Sequence, residues 1–340
     1  MSRIAILGSG AWGTALAISF ARQQQHEVML WCHRSEHADA LRQSRENRKY
    51  LPGASLPAAL TMTSDAASSL HQAEWIVSAI PSPFLRAAFD AFASMLTADQ
   101  VLISATKGLE TGTHQRMSAV LAECVGRLGT PPAIGVLSGP SFAAEVAQGQ
   151  PTAVTLAFPV LECAVRAQQA LSSPTLRIYS TDDVVGVELG GALKNVMAIA
   201  AGIVTGLGLG HNSTAALIVR GSAEMTRLAV AAGARRETLA GLSGTGDLIL
   251  TCTGALSRNR SVGIALAQGK SLSAIVDSME GRVAEGIRTT EAALELATDL
   301  GVEMPIMRQI QAILTGASDP QSAMRKLMQR PARTEADSLE

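Results

Sequence analysis

Short apolar or β-branched runs of four or five residues alternate with longer stretches of helical period from the start of the chain to about residue 180. That alternation marks βαβ units: each strand of a sheet covered on both faces is a continuous apolar run, and a crossover helix returns the chain for the next. The strands expected are Ile4–Leu7, Val28–Trp31, Trp75–Ala79, Val101–Ala105, Ile134–Leu137, Ala153–Ala157 and Leu176–Tyr179, with helices over Ala11–Gln24, Phe84–Met95 and Gln115–Arg127. Past Thr181 the alternation stops, and Ala, Leu, Gly and Met recur at helical spacing to about Met328, which predicts a second half built of helices. Thr181-Asp182-Asp183 marks the change, since acids there can cap a helix start and complement its dipole. The domains expected are therefore 1–181 and 182–330, with a disordered tail over 331–340.

Composition narrows the possible functions. A chain of 340 residues, 47% of them hydrophobic, has enough apolar side chain for a core in each of two domains, which excludes a disordered protein. The 28 basic and 29 acidic residues nearly cancel and no Lys/Arg run stands out, so the electrostatic footprint of a nucleic-acid binder is missing. Aromatic residues are too few for the platforms on which single strands stack. Cys32, Cys124, Cys163 and Cys252 are scattered, without a C-x-x-C pair or a His at zinc spacing; they read as reduced core thiols, and no metal site is expected. The run Ile4-Ala5-Ile6-Leu7 is too short for a signal-peptide core, so a cytoplasmic location is expected. Leu189 to Gly210, whose one formal charge is Lys194, could pass for a membrane span. Its glycines, Asn195 and that charge predict a buried helix and a loop instead, and no membrane partner.

Gly8-Ser9-Gly10-Ala11-Trp12-Gly13 stands between the first expected strand and the first expected helix. Chance alone supplies about 0.2 copies of G-x-G-x-x-G in a chain this rich in glycine, so the flanking elements carry the argument. In a dinucleotide-binding turn Gly8 makes the bend, Gly10 lets the backbone approach a pyrophosphate, and Gly13 permits close packing of helix on strand. The fold class expected is an α/β Rossmann-type N-terminal domain with a parallel-rich sheet, followed by an all-α C-terminal domain. After the second strand, where an NAD site usually carries an acid for the ribose 2′-hydroxyl, stands Cys32-His33-Arg34. His33 and the Arg34 guanidinium suit a 2′-phosphate, which favours NADP over NAD. In the other reading Arg34 is a solvated loop charge and Glu36 takes the acid's place. Gln23-Gln24-Gln25 ends the first helix where glycine is usual in the left-handed position, which predicts strain of up to about 1–2 kcal/mol.

Four further pieces carry chemistry. Lys107, in Ser104-Ala105-Thr106-Lys107-Gly108-Leu109, follows a strand at the carboxyl edge of the sheet, where open α/β sheets bind ligands. Leu137-Ser138-Gly139-Pro140-Ser141-Phe142-Ala143 is another strand-to-helix turn with amides to offer. Lys194 sits in a long apolar helix, and its same-face neighbours Gly190, Gly191, Met197 and Ala198 would leave the amine desolvated while allowing a ligand to approach. Desolvation, and a second cation such as Lys107, push a lysine pKa down towards neutrality, where it can exchange protons. Asp247 could hold and orient that ammonium, and Arg258 with Ser257 and Asn259 at a helix start suits a small phosphate.

In this order the pieces resemble the bacterial NAD(P)-dependent glycerol-3-phosphate dehydrogenases. The resemblance covers nearly the whole chain, through Gly-x-Gly-x-Trp-Gly-Thr (8–14), Tyr50-Leu51-Pro52-Gly53, Ala105 to Leu109, Ser138 to Ala143, Glu188 to Val196, Gly246-Asp247-Leu248, Thr251-Cys252-Thr253, Ser257-Arg258-Asn259-Arg260 and Val283-Ala284-Glu285-Gly286. It implies a 6-phosphogluconate dehydrogenase-like fold and reduction of dihydroxyacetone phosphate to sn-glycerol 3-phosphate, for glycerophospholipid synthesis. Lys194 would be the proton donor and acceptor, assisted by Lys107 and Asp247. Substrate contacts would come from Lys107, Gly139, Ser141, Lys194, Asp247, Ser257, Arg258 and Asn259. The cofactor would lie against Gly8, Gly10, Ala11, Trp12, Gly13, His33, Arg34, Lys107, Ala143, Arg258, Val283 and Glu285. Ala11 departs from the Ser of many members and removes one hydroxyl from the phosphate side. Competing readings are another member of the 6-phosphogluconate or β-hydroxyacid dehydrogenase group, which the phosphate-suited run at Ser257 opposes, and a non-catalytic NADP sensor, which the intact Lys107, Lys194 and Asp247 oppose. A homodimer is expected only from the apolar character of the helical half.

Overall fold

The computed structural model describes residues 2–126, 129–279, 284–332, 334 and 335. By its contacts the chain forms two compact units, one of Met1–Thr106 with Met117–Val184, the other of Lys107–Arg116 with Val185–Glu340.

The first unit carries strands β1 (Ser2–Leu7), β2 (His26–Trp31), β3 (Glu46–Asn47), β4 (Leu51–Ser55), β5 (Thr61–Thr63), β6 (Trp75–Ser78), β7 (Val101–Ser104), β8 (Ala133–Ser138), β9 (Thr152–Ala157) and β10 (Leu176–Thr181). Its helices are α1 (Ala11–Ala21), α2 (Ser35–Ser44), α3 (Ala66–Leu70), α4 (Ser82–Phe92), α5 (Met117–Val125), α6 (Ala143–Gln148) and α7 (Leu161–Leu171). Eight strands form one sheet in the order β10-β9-β8-β7-β6-β1-β2-β5. All pairs are parallel except β8 with β9, which run antiparallel with Leu137 opposite Leu156. The side chains of β1 alternate between two apolar clusters, Ile4 and Ile6 in one and Ala5 and Leu7 in the other, as a strand buried on both faces requires.

All seven expected strands are present, each within a residue or two of its expected ends. The first helix stops at Ala21, three residues early, and Gln24 adopts φ +55, the left-handed conformation expected of the glutamine run. The third expected helix runs over Met117–Val125; the Arg127 assigned to it lies outside the described residues. The β3–β4 pair and edge strand β5 were not expected. They are two to five residues long, and β4 contains Pro52 and Gly53, which read as breakers.

Among the described residues of the second unit, only helices and turns follow Val185. They are α8 (Val184–Gly206), α9 (His211–Ala231), α10 (Arg236–Ala240), α11 (Asp247–Thr253), α12 (Arg258–Ala267), α13 (Leu272–Ser278), α14 (Glu285–Asp299), α15 (Pro305–Leu314) and α16 (Pro320–Met328). Every residue of α8 from Gly186 to Val204 is buried, and the stretch that is long and apolar enough to cross a bilayer lies wholly inside the protein. Backbone lies directly on backbone where α8 meets α12: a Cβ at Gly202 would overlap the Arg260 carbonyl oxygen, and one at Gly263 the Ile199 carbonyl oxygen. The buried Glu224 carboxylate of α9 accepts the N–H groups of Ile306 and Met307 at 2.9 Å each, closing the open start of α15.

Three of the four cysteines are buried, Cys163 is partly so, and none of the four is joined in a disulfide. No group of three His, Cys, Asp or Glu able to hold a metal ion occurs among the described residues.

Candidate active site

The glycine turn of the first unit divides its work among three positions. Gly8 has φ +111, and a Cβ there would stand 2.9 Å from the Ala79 carbonyl, so the chain bends hard against the end of β6. A Cβ at Gly13 would overlap the Gly8 carbonyl oxygen, which leaves glycine as the residue that lets α1 pack on the turn. Gly10 faces open space and precedes α1 without a side-chain cap, so the first amides of a helix with no acidic residue in its first turn look outward beside Ala11 and Trp12. The Trp12 indole Nε1 is buried without a hydrogen-bond partner. These features fit the pyrophosphate of a dinucleotide.

Asn47, fully buried, donates to the Ser9 carbonyl at 2.9 Å and to Thr14 Oγ1 at 2.8 Å, and so buckles the turn from behind. No pattern in the sequence singled it out. His33 and Arg34 are exposed beyond β2, Arg34 at the start of α2 and Glu36 exposed in its first turn. At the end of β8, Gly139 has φ +143 against the backbone of Val154, and Ser141 Oγ donates to the Gly139 carbonyl at 2.9 Å. Ala143 opens α6, partly buried against the core.

The second unit brings together Lys107, Lys194 and Asp247. Asp247 is the first residue of α11, 1% exposed, and directly follows a π-helical turn over Leu242–Gly246, an irregularity frequent at functional sites. Its Oδ1 lies 2.9 Å from Lys194 Nζ and its Oδ2 2.6 Å from Lys107 Nζ, so one carboxylate bridges two ammonium groups. Lys194 Nζ also donates to Thr251 Oγ1 at 2.7 Å, and that hydroxyl donates to the Asp247 carbonyl at 2.6 Å. Thr251 stands four residues after Asp247 on α11, the spacing of one helical face, and sequence reasoning gave it no role.

Burial lowers the Lys194 pKa to about 8; the Asp247 charge opposes that fall and the Lys107 charge adds to it. Burial alone would raise the Asp247 carboxyl, but the two lysines more than offset it and hold the group below its ordinary range. The neighbouring Cys252 thiol, pushed up to about 12 chiefly by burial, stays protonated. One expectation fails here. Gly190 does not leave room for a ligand beside Lys194: a Cβ there would lie 2.6 Å from the Ser243 carbonyl oxygen, so the glycine serves packing of α8 against the π-helical turn.

At the start of α12 the Ser257 hydroxyl accepts the Arg260 N–H at 3.2 Å, leaving exposed Arg258 in the first turn of a ten-residue helix. The Asn259 side chain is committed inside the fold: Nδ2 donates to Asn195 Oδ1 at 2.9 Å, and Oδ1 accepts the Gly286 N–H at 3.0 Å. Any contact it makes to a bound phosphate therefore falls mainly to its backbone N–H. Glu285 opens α14, partly buried, and Val283 lies outside the described residues.

Comparison with known proteins agrees with this geometry. Residues 3–164 match the model of the NAD-dependent glycerol-3-phosphate dehydrogenase N-terminus, and residues 183–325 that of the C-terminus. Glycerol-3-phosphate dehydrogenase [NAD(P)+] of Acidobacterium capsulatum is 56% identical over 98% of this chain and 100% of its own length. The protein of the same name from Koribacter versatilis is 51% identical over 98% of this chain and 99% of its own. The crystal structure of glycerol-3-phosphate dehydrogenase from Coxiella burnetii superposes with a TM-score of 0.91 at 39% identity, covering 97% of this chain and 99% of that one. A Rossmann-type domain followed by a helical domain, matched end to end by these relatives, makes this chain a member of the NAD-dependent glycerol-3-phosphate dehydrogenase family.

Proposed function

We propose that this protein catalyses the reversible reduction of dihydroxyacetone phosphate to sn-glycerol 3-phosphate with NADPH or NADH, as a cytoplasmic enzyme supplying glycerophospholipid synthesis. The observation that carries the reading is the buried Asp247 carboxylate shared by Lys107 and Lys194. When bound, the cofactor supplies a hydride from C4 of its nicotinamide to C2 of the substrate.

The remaining work falls to the chain's own residues. Residues 1–181 serve the dinucleotide: Gly8, Gly10, Ala11, Trp12 and Gly13 at the pyrophosphate, and His33 and Arg34 at the 2′-phosphate, where they favour NADP. Residues 182–330 serve acid–base chemistry and the phosphate. With a pKa of about 8, Lys194 at pH 7 is roughly ten to one in its ammonium form, so it holds a proton for the oxygen that gains charge at C2. Asp247 and Thr251 take two of its donors and aim it. Lys107, held against the Asp247 carboxylate, presents its ammonium to the developing alkoxide and stabilises it. Arg258, with the amides that open α12, holds the phosphate. In the oxidative direction neutral Lys194 is the base. The family resemblance adds Gly139 and Ser141 to the substrate contacts, and Ala143, Val283 and Glu285 to the cofactor contacts. The apolar helical unit is the basis for proposing a homodimer, which sedimentation velocity tests.

The test of the activity follows NADPH and then NADH oxidation with dihydroxyacetone phosphate, using unphosphorylated dihydroxyacetone as control. Turnover that requires the phosphate is expected. Lys194→Ala is expected to bind NADPH and lose turnover; retained turnover refutes the assignment of Lys194, and no turnover by the wild type refutes the reaction.

A further inference from the structure

The segment from Lys107 to Arg116 leaves the strand that precedes it and joins the second unit. Three contacts tie it there, and the segment also closes on itself. Leu109 is 1% exposed within the apolar core of that unit. The segment is closed on itself by an antiparallel bridge between Leu109 and Arg116 and by the Glu110 N–H donating to the Gln115 carbonyl at 2.9 Å. His114 Nε2 lies 2.8 Å from Asp299 Oδ2 of α14, with Glu295 at 3.8 Å from its other ring nitrogen. Arg116 meets Glu188 of α8 at 3.1 Å, and that carboxylate is 1% exposed.

Glu188 and Lys194 stand six residues apart in the buried stretch of α8, about 9 Å along its axis. The contacts therefore close a circuit. Lys107 meets Asp247, Asp247 meets Lys194, α8 carries Lys194 to Glu188, Glu188 holds Arg116, and the segment returns to Lys107. A lysine side chain has four rotatable bonds and is a poor locator by itself. The circuit refers its backbone to the same helix that carries the proton-exchanging group.

We infer that residues 107–116 are a strap belonging to the helical unit, and that Arg116, through Glu188, is a positioning residue that sets Lys107 against Asp247 and Lys194. The inference rests on the reading of Lys107 and Lys194 given above. Its signature lies in the titration of Lys194, whose charged and titratable neighbours are Asp247, Lys107 and Cys252. A displaced Lys107 withdraws a positive charge and leaves Asp247 wholly to Lys194. Both changes favour the ammonium.

The experiment compares Arg116→Gln with the wild type in glycerol 3-phosphate oxidation, recording kcat against pH, KM for both substrates and Tm. The acid limb of kcat is expected to move up by about half a unit or more, in the direction given by Lys107→Ala. At neutral pH kcat is expected to fall about threefold or more, with Arg116→Lys restoring most of the loss. In a Lys107→Ala background, Arg116→Gln is expected to leave the limb where it is, because the two act through one group. A wild-type limb and kcat in Arg116→Gln, whatever happens to Tm, overturn the inference, as does an additive shift in the double variant. If Arg116→Gln yields no folded protein, His114→Gln, at the partly exposed anchor, is read by the same criteria. A wild type without turnover fails the proposed reaction instead, so the two failures are distinct.

Discussion

Replacing Asp247 by Asn tests the bridged lysines most directly. The substitution keeps the shape of the side chain and removes the charge that lies 2.9 Å from Lys194 and 2.6 Å from Lys107. Of the influences on Lys194, Asp247 pulls its pKa up, while burial and the Lys107 charge pull it down to the resulting value of about 8. A carboxylate at hydrogen-bond distance is worth about 1–3 units to a cation, so without it Lys194 should titrate near 7 or below. The ammonium form at pH 7 then falls from about 90% to half or less. In the reductive direction Lys194 must carry its proton, so kcat is lost as pH rises through its pKa, and the basic limb should move down by about a unit or more. Breaking the buried ion pairs by removing their shared carboxylate also costs the fold about 3–5 kcal/mol, so Tm is measured first and the kinetics are run well below it. The assay is kcat for dihydroxyacetone phosphate reduction over about pH 6 to 9. A limb that stays near 8, or moves up, refutes the claim that Asp247 keeps the proton on Lys194.

Other outcomes follow from single sites. Arg34→Ala should raise KM for NADPH by about tenfold or more relative to NADH, the worth of a charge-assisted contact to a phosphate; equal changes for both cofactors remove Arg34 from the 2′-phosphate. Gln24→Gly should stabilise the protein by about 0.5–1 kcal/mol in urea unfolding, because glycine accepts φ +55 freely, less its larger unfolded-state entropy; a loss of stability shows the turn is not strained. Gly263→Ala should cost about 1–3 kcal/mol or more, since its methyl overlaps the Ile199 carbonyl. It should also raise KM for dihydroxyacetone phosphate, because α12 begins at Arg258; an unchanged Tm refutes the close crossing.

The sheet of the first unit could be read from the chain because each of its central strands is an uninterrupted apolar run, buried on both faces, and bounded by turn residues. Lys194 was legible for the opposite reason: a charge in an apolar helix has to be compensated, and a carboxylate was the natural partner for it. What periodicity does not carry is the direction in which a glycine is empty. Gly10 is open to solvent and Gly190 is filled by the Ser243 backbone, yet both are glycines near chemistry. The antiparallel insertion of β9 beside β8 was equally hidden, because an apolar run has the same pattern in either direction. So was the use of Asn47 and Asn259 as internal braces, since a polar side chain shows no preference in sequence for a backbone carbonyl over a ligand. The departure of residues 107–116 from the unit of the strand before them and the helix after them depends on partners at Glu188, Asp247 and Asp299, far along the chain.

The burial of α8 has a consequence during synthesis. The other helices of its unit, α9 to α16, all follow it in the chain. At about 5–20 residues per second a ribosome takes several seconds to deliver them. Until they arrive, a 23-residue helix with the length and composition of a bilayer span lacks the neighbours that bury it in the finished protein. Lys194 lies near its middle, where a lysine opposes insertion by about 2.5–3.5 kcal/mol. The ammonium assigned to proton transfer in the finished enzyme thus also biases the nascent chain away from the membrane, and replacing it by an apolar residue removes both properties at once.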